Sequence, residues 1–399
     1  MADLNRQSLS FNLTMTENTP LSQNQRMPII DILRGWALFS VITMNYITIY
    51  NWNNHSLTNK TDNFNSVIEN TSEIILGSKG WSLLAILFGF GFSVLLKNIS
   101  GNGQPENLFF IKKMLWLLLI AIINTIFFGG DILHDYVPLG LILLIFSRLS
   151  YQSLFIIGVS ILLLTPFLQS FLGNRHLLFL PKERDNFYRL YDNNNLIDHI
   201  KSNFFMRYNW MLRLSYSIIF HLIQLGCLLI GVAMHRSNFI FSIQNNLKLL
   251  KRILFISLVL AISLFLLQFF SEKFEWKFNE YYNLYYPEKI CTMVFTSSVI
   301  VWLYITGTAK ELFSAFQSVG KMTLTNYLMQ NIISFVFLIY LKPHWDLYWY
   351  LIIAITVYIV QIFISKWWLR KYNYGILEWL WRCLSYGRKF QLKKVQTVG

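Results

Sequence analysis

Cysteine is scarce in this chain of 399 residues, and so are acidic groups and the alternating patterns of a water-soluble core. The three cysteines, Cys227, Cys291 and Cys383, lie far apart, and the first two sit in apolar runs. That spacing excludes a disulfide framework and the close ligand pairs of a zinc site, and it leaves them as small core residues. Charged residues are only 14% of the chain, with 20 Asp and Glu against 34 Lys and Arg, a formal charge of +14. A basic excess marks a nucleic-acid binder when it covers the face of a soluble domain. Here the charges gather in the gaps between apolar runs, so no nucleic-acid partner is expected. The first 28 residues are polar and lack the basic segment followed by an apolar one that marks a secretory signal, so the first span must itself direct insertion. No internal repeat is visible, which leaves the inverted-repeat architecture of many transporters without support.

Long apolar runs take the place of what is missing. Hydrophobic residues make up 54% of the chain and aromatics 17%, and runs near 151–172, 215–234, 253–270 and 347–365 each approach the roughly 20 residues that cross a hydrocarbon core of about 30 Å. The class is an all-α polytopic integral-membrane helical bundle of about ten transmembrane helices. The spans are expected near 30–50, 74–96, 109–128, 132–147, 151–172, 214–234, 248–270, 288–308, 322–341 and 347–369. The fourth is short and interrupted by Pro138 and Gly140, as in a broken or re-entrant helix. With a cytoplasmic N-terminus the inner short loops and tails hold about 20 Lys and Arg and the outer short loops about six, which places both termini inside. The chain then divides into a polar tail (1–28), a transmembrane domain (29–371) and an interfacial helix with a basic tail (372–399). Membrane lipids are its first partners. The expected outer connections are 51–73, 173–213 and 271–287. The last carries Trp276, Tyr281, Tyr282, Tyr285 and Tyr286, aromatics that suit either an interfacial belt or stacking on a sugar.

Several polar groups fall inside the apolar runs. Asp31 and Arg34 share a face at the start of the first span and can pair; they read equally as a juxtamembrane anchor and as a site. Thr43, Asn45 and His55 follow. Leu87-Phe-Gly-Phe-Gly91 carries glycines that permit close helix contact. Asn124 precedes Gly129-Gly-Asp-Ile-Leu-His-Asp-Tyr136, in which Asp131, His134 and Asp135 lie within about one helical turn. A carboxylate beside an imidazole can orient a general base, and an aspartate at a helix start can equally be a cap. Thr323, Asn326 and Gln330 form a polar stripe in the ninth span, suited to helix-to-helix hydrogen bonds or to a ligand pocket. Glu378 and Arg382 lie four apart in Leu377-Glu-Trp-Leu-Trp-Arg382.

Together these five segments, in this order and over nearly the whole chain, resemble the YeiB family of bacterial inner-membrane proteins, a family of unknown function that is similar to the transmembrane acyltransferases. The resemblance implies transfer of an acyl group, acetyl first among the candidates, from cytosolic acyl-CoA to an extracytoplasmic glycan, lipid or natural product, without a metal. It implies a donor site of Asp31, Arg34, Asn45, Lys321, Asn326 and Gln330, and a catalytic group of Asp131 with His55 or His134. Three positions depart from the related patterns: Asn45 stands where glycan O-acyltransferases carry His, Asn124 where the YeiB pattern has His, and Ile376 where it has Pro. A transporter or flippase that uses the same polar residues as its pathway is the alternative.

Overall fold

The computed structural model describes residues 27–55, 63–99, 106–173, 181–193, 195–211 and 214–394. Its helices are α1 (Pro28–Asn53), α2 (Asn63–Ile75), α3 (Lys79–Ile99), α4 (Glu106–Thr125), α5 (Leu133–Ile145), α6 (Tyr151–Gly173), α7 (Pro181–Tyr191) and α8 (Leu196–Phe205). The second half adds α9 (Leu214–Arg236), α10 (Phe239–Asn245), α11 (Leu247–Lys273), α12 (Tyr285–Ile305), α13 (Lys310–Gly320), α14 (Thr323–Ser334), α15 (Leu347–Lys371) and α16 (Ile376–Tyr386). Wider π-helical turns occupy Met206–Met211 and Phe335–Tyr340. Among the described residues there is no strand, and one isolated antiparallel bridge joins Tyr372 to Lys393.

Eight helices are long and apolar enough to cross a bilayer, one of them formed by α2 and α3 together. Two of the ten expected spans differ. The ninth is one limb of a bent pair, Lys310–Gly320 and Thr323–Tyr340, with 82° between the limbs. The break leaves α13 free to lie along the start of α1. The fourth, α5, has 13 residues and reaches only about 20 Å at 1.5 Å per residue, too short to cross unaided. It begins deep in the bundle and returns to the face where Ser147 and Leu149 accept hydrogen bonds from Arg236. The expected polar connections also hold helices: α2 begins within 51–73 and runs past it to Ile75, and α7, α8 and the first π-turn lie within 173–213.

Burial ranks the helices. The most apolar stretch of α1 is 67% buried, against 11% for α11, so α1 is central and α11 stands at the periphery. α3, α13, α14 and α15 surround α1, while α6 and α3 flank α9. The α1–α13 crossing is tight because glycines meet backbone there. A Cβ on Gly35 would lie 2.1 Å from the Phe316 carbonyl oxygen, and one on Gly320 would lie 1.8 Å from that of Asp31. These two glycines bring Asp31, Arg34 and Lys321 to one place.

Candidate functional site

A basic cavity of about 610 Å³ opens at the end of the bundle where α1 begins, with Arg34, Lys97, Lys113 and Arg382 in its wall. Asp31 is the one acid there, and its Oδ1 takes a long 3.4 Å contact from Arg34 Nη1. The other Asp31 oxygen is buried without a hydrogen bond in the protein. Gly91 lies beside this arginine, where a Cβ would meet Arg34 Nη2 at an ordinary contact distance of 3.4 Å. Clustered cations around a cavity of this size suit a phosphorylated ligand, to which guanidinium groups donate paired hydrogen bonds.

α16 forms one side of the cavity. The Trp381 indole nitrogen donates to the Lys113 carbonyl oxygen at 2.9 Å, and the Lys113 ammonium lies 4.1 Å above that ring. Glu378 turns to α14, accepting from the backbone N–H groups of Leu324 (2.7 Å) and Thr325 (3.2 Å) and from the Thr325 hydroxyl (2.5 Å). No residue next to α14 in sequence caps its first turn, so this carboxyl meets otherwise unsatisfied donors from across the fold. Burial pushes the Glu378 carboxyl above its ordinary pKa, against the pull of those hydrogen bonds. Arg382 donates to the Tyr374 hydroxyl at 2.7 Å and lies over its ring.

A second cavity, of about 270 Å³, shares Asp31, Arg34, Lys113 and Arg382 with the first and adds Lys321. It runs inward to Ile132, Leu133, Tyr136 and Tyr327. Those residues bracket the Asp131 and His134 pair. Asp131 is fully buried; its Oδ1 accepts from the Leu133 N–H at 3.1 Å and its Oδ2 lies 3.0 Å from His134 Nδ1. The opposite nitrogen, His134 Nε2, is 3.1 Å from the hydroxyl of Tyr208, a residue that is 43% exposed. A carboxylate only accepts, so Nδ1 carries the proton and Nε2 is left to accept from a hydroxyl. That is the tautomer of a general base.

The next carboxylate, in the first turn of α5, is held differently. Asp135 pairs with Arg207 through both carboxylate oxygens, and Arg207 also donates to the Asp131 carbonyl oxygen at 3.0 Å. His221 Nε2 lies 2.8 Å from Asp135 Oδ1, while its Nδ1 lies 2.6 Å from the Ser217 carbonyl oxygen. Both ring nitrogens face acceptors, so neither is left to accept a proton from a substrate. Arg207, Tyr208 and His221 escaped the sequence reading; an arginine and two aromatic polar groups in or beside apolar runs were the only signal.

Of the expected site residues, Asp31, Arg34 and Lys321 line the cavities, and Asp131 meets His134. His55 lies elsewhere: its Nδ1 contacts the Trp52 carbonyl oxygen at 2.8 Å, its Nε2 faces Asp192 at 3.3 Å, and its ring stacks 3.7 Å from Tyr188. The pairing of His55 with Asp131 is thereby replaced by a clasp between the end of α1 and α7. Asn326 donates to Ser365 Oγ and to the Val319 carbonyl oxygen, joining α14 to α15. Gln330 and Asn45 also lie outside both cavity walls. The Gln330 side chain is fully buried and makes no hydrogen bond within the protein. Asn124, at the position of the missing histidine, accepts from Asn331 at 3.0 Å.

Residues 234–388 match a family model described as a protein of unknown function, DUF418. Uncharacterized protein YxaH of Bacillus subtilis is 26% identical over 93% of this chain and 97% of its own length. An uncharacterized 39.9 kDa protein encoded in the amylase 3′ region of Bacillus acidopullulyticus is 22% identical over 94% and 97%. Uncharacterized protein YeiB of Escherichia coli is 26% identical over 76% and 80%. No solved structure matches the chain.

Proposed function

Since this chain belongs with the YeiB-type proteins of the DUF418 family, we propose that it is a membrane-embedded acyltransferase that takes its acyl group from acyl-CoA. The carrying observation is the pair of adjoining cavities that lead from a basic mouth to the wall beside a buried Asp131–His134 pair. Arg34, Lys97, Lys113 and Arg382 hold the donor's phosphates, and Lys321 stands farther in. His134 Nε2 removes the proton of an acceptor hydroxyl as that oxygen attacks the thioester carbonyl. The carbon–sulfur bond breaks, and the proton passes to the departing thiolate. Asp131 keeps His134 in the accepting tautomer and balances its charge when it is protonated. The exposed Tyr208 marks where the acceptor reaches the imidazole. In this reading the protein sits in the cytoplasmic membrane with the basic mouth and both termini inside, and transfer delivers the acyl group to the other face.

The test uses purified protein with radiolabelled acetyl-CoA. Wild type should bind the donor and release labelled acetyl to water or to added lipid extract; H134A should bind without release, and R34A should bind more weakly. Absence of donor binding, or equal release by wild type and H134A, overturns the proposal. Uptake of a solute by proteoliposomes without any acyl donor would make the protein a transporter instead.

A further inference from the structure

A larger cavity shares Ile30, Leu87 and Phe90 with the wall of the basic one but holds none of its cations. It measures about 960 Å³, at the upper end of the roughly 300–1,000 Å³ usual for ligand pockets, and its wall is almost entirely apolar. Phe155 and Leu163 of α6 form one side, Cys227 and Ile230 of α9 the back, and Leu260 and Leu264 of α11 the other side. α6 packs along α9 and α11 along α12, whereas α6 and α11 make no extended contact with each other. The gap between these two poorly buried helices opens the chamber sideways, toward the acyl chains of a bilayer.

At the end of the bundle away from the basic mouth, the chamber meets a polar cavity of about 420 Å³. Tyr286 belongs to both walls. Gln169, Gln268, Glu272, Asn283 and Tyr285 complete the polar one. Gln169 Oε1 is buried and has no hydrogen-bond partner in the protein. Gln268 donates to Glu272 at 3.0 Å, and Asn283 accepts from the Tyr285 N–H at 3.0 Å. The Asn283 N–H donates to the Pro166 carbonyl oxygen at 3.3 Å, joining the turn before α12 to α6. The wall holds amides, tyrosines and one carboxylate, with no lysine or arginine. A phosphate would find one like charge in the wall and no cation, Lys289 standing over the Tyr285 ring but paired with Glu288 at 3.1 Å, while a hydroxylated, uncharged headgroup would find donors, acceptors and aromatic edges.

We propose that the paired cavities bind a neutral glycolipid, with its sugar in the polar cavity and an acyl chain in the apolar chamber, entering from the bilayer between α6 and α11. Binding is independent of the donor; service of this lipid as acyl acceptor rests on the acyltransferase reading. The experiment is native mass spectrometry of the full-length protein after exchange with glucosyl-diacylglycerol, phosphatidylglycerol and phosphatidylcholine of identical acyl chains, in the absence of acyl-CoA. Wild type should retain the glucosyl lipid about tenfold over the other two. The double variant Gln169→Leu with Gln268→Leu should lose that preference while keeping its melting temperature, and Val294→Trp, which fills the chamber, should lose retention of all three. Equal retention of the three lipids, preference for phosphatidylglycerol, or a glycolipid preference untouched by the paired glutamine change overturns the proposal. Glycolipid retention by a protein that neither binds nor turns over acyl-CoA would leave this site standing and remove only the acyltransferase reading.

Discussion

Asp131, just before α5, and Asp135, in its first turn, are both buried and each lies beside a histidine, and their surroundings give them opposite roles. Asp131 accepts from a backbone N–H and from His134, whose far nitrogen meets only a hydroxyl. Asp135 is saturated by Arg207 and by His221, whose far nitrogen meets a carbonyl oxygen. A hydroxyl can surrender its place to a substrate and a carbonyl can only accept, so one imidazole can take a proton and the other cannot. The arginine on Asp135 also holds the Asp131 backbone. The second pair is a scaffold for the first.

This contrast can be broken at either pair. Replacing His134 with Ala should have the largest effect, lowering the proposed acyl transfer by about 10²–10⁴-fold with a smaller fall in melting temperature than loss of Arg207; transfer assays and thermal unfolding in detergent check both halves. Arg207→Met should do the reverse, leaving Asp135 buried without its guanidinium and costing about 3–5 kcal/mol of stability, read as a large fall in Tm. His221→Gln keeps a donor toward Asp135 and should cost less, about 1–2 kcal/mol. Nitrogen-15 NMR of labelled histidines should find His134 with its proton on Nδ1 and Nε2 free to accept; a proton on Nε2 instead would erase the difference between the pairs.

The smallest effect lies in the wall of the inner cavity, at Glu378. Burial raises the Glu378 pKa, so its carboxyl contributes fully at acid pH and loses stability as the pH rises through the raised pKa. The Tm of wild type should therefore fall relative to Glu378→Gln across that window, whereas Glu378→Ala should be less stable throughout, by about 1 kcal/mol for a lost helix cap.

The helical class and most spans were legible in the sequence because insertion of a helix depends on the transfer energy of about 20 contiguous residues, a local property. The same reading found the Asp131 and His134 pair, three residues apart, and the Asp31 and Arg34 pair at the mouth. It reached the bend before Thr323 only as a span boundary, since the 82° angle comes from α13 packing on α1 through Gly35 and Gly320. Partners distant in sequence were decided by tertiary structure alone. Arg207 reaches Asp135 across 72 positions, and Glu378 caps α14 from 53 and 54 positions away. The Thr323 to Gln330 stripe was visible as a polar face, but which helix it would meet was not; packing gave Asn326 to Ser365 and left Gln330 without a partner. Periodicity states which residues share a face of one helix, and only the packing of several helices states what that face touches.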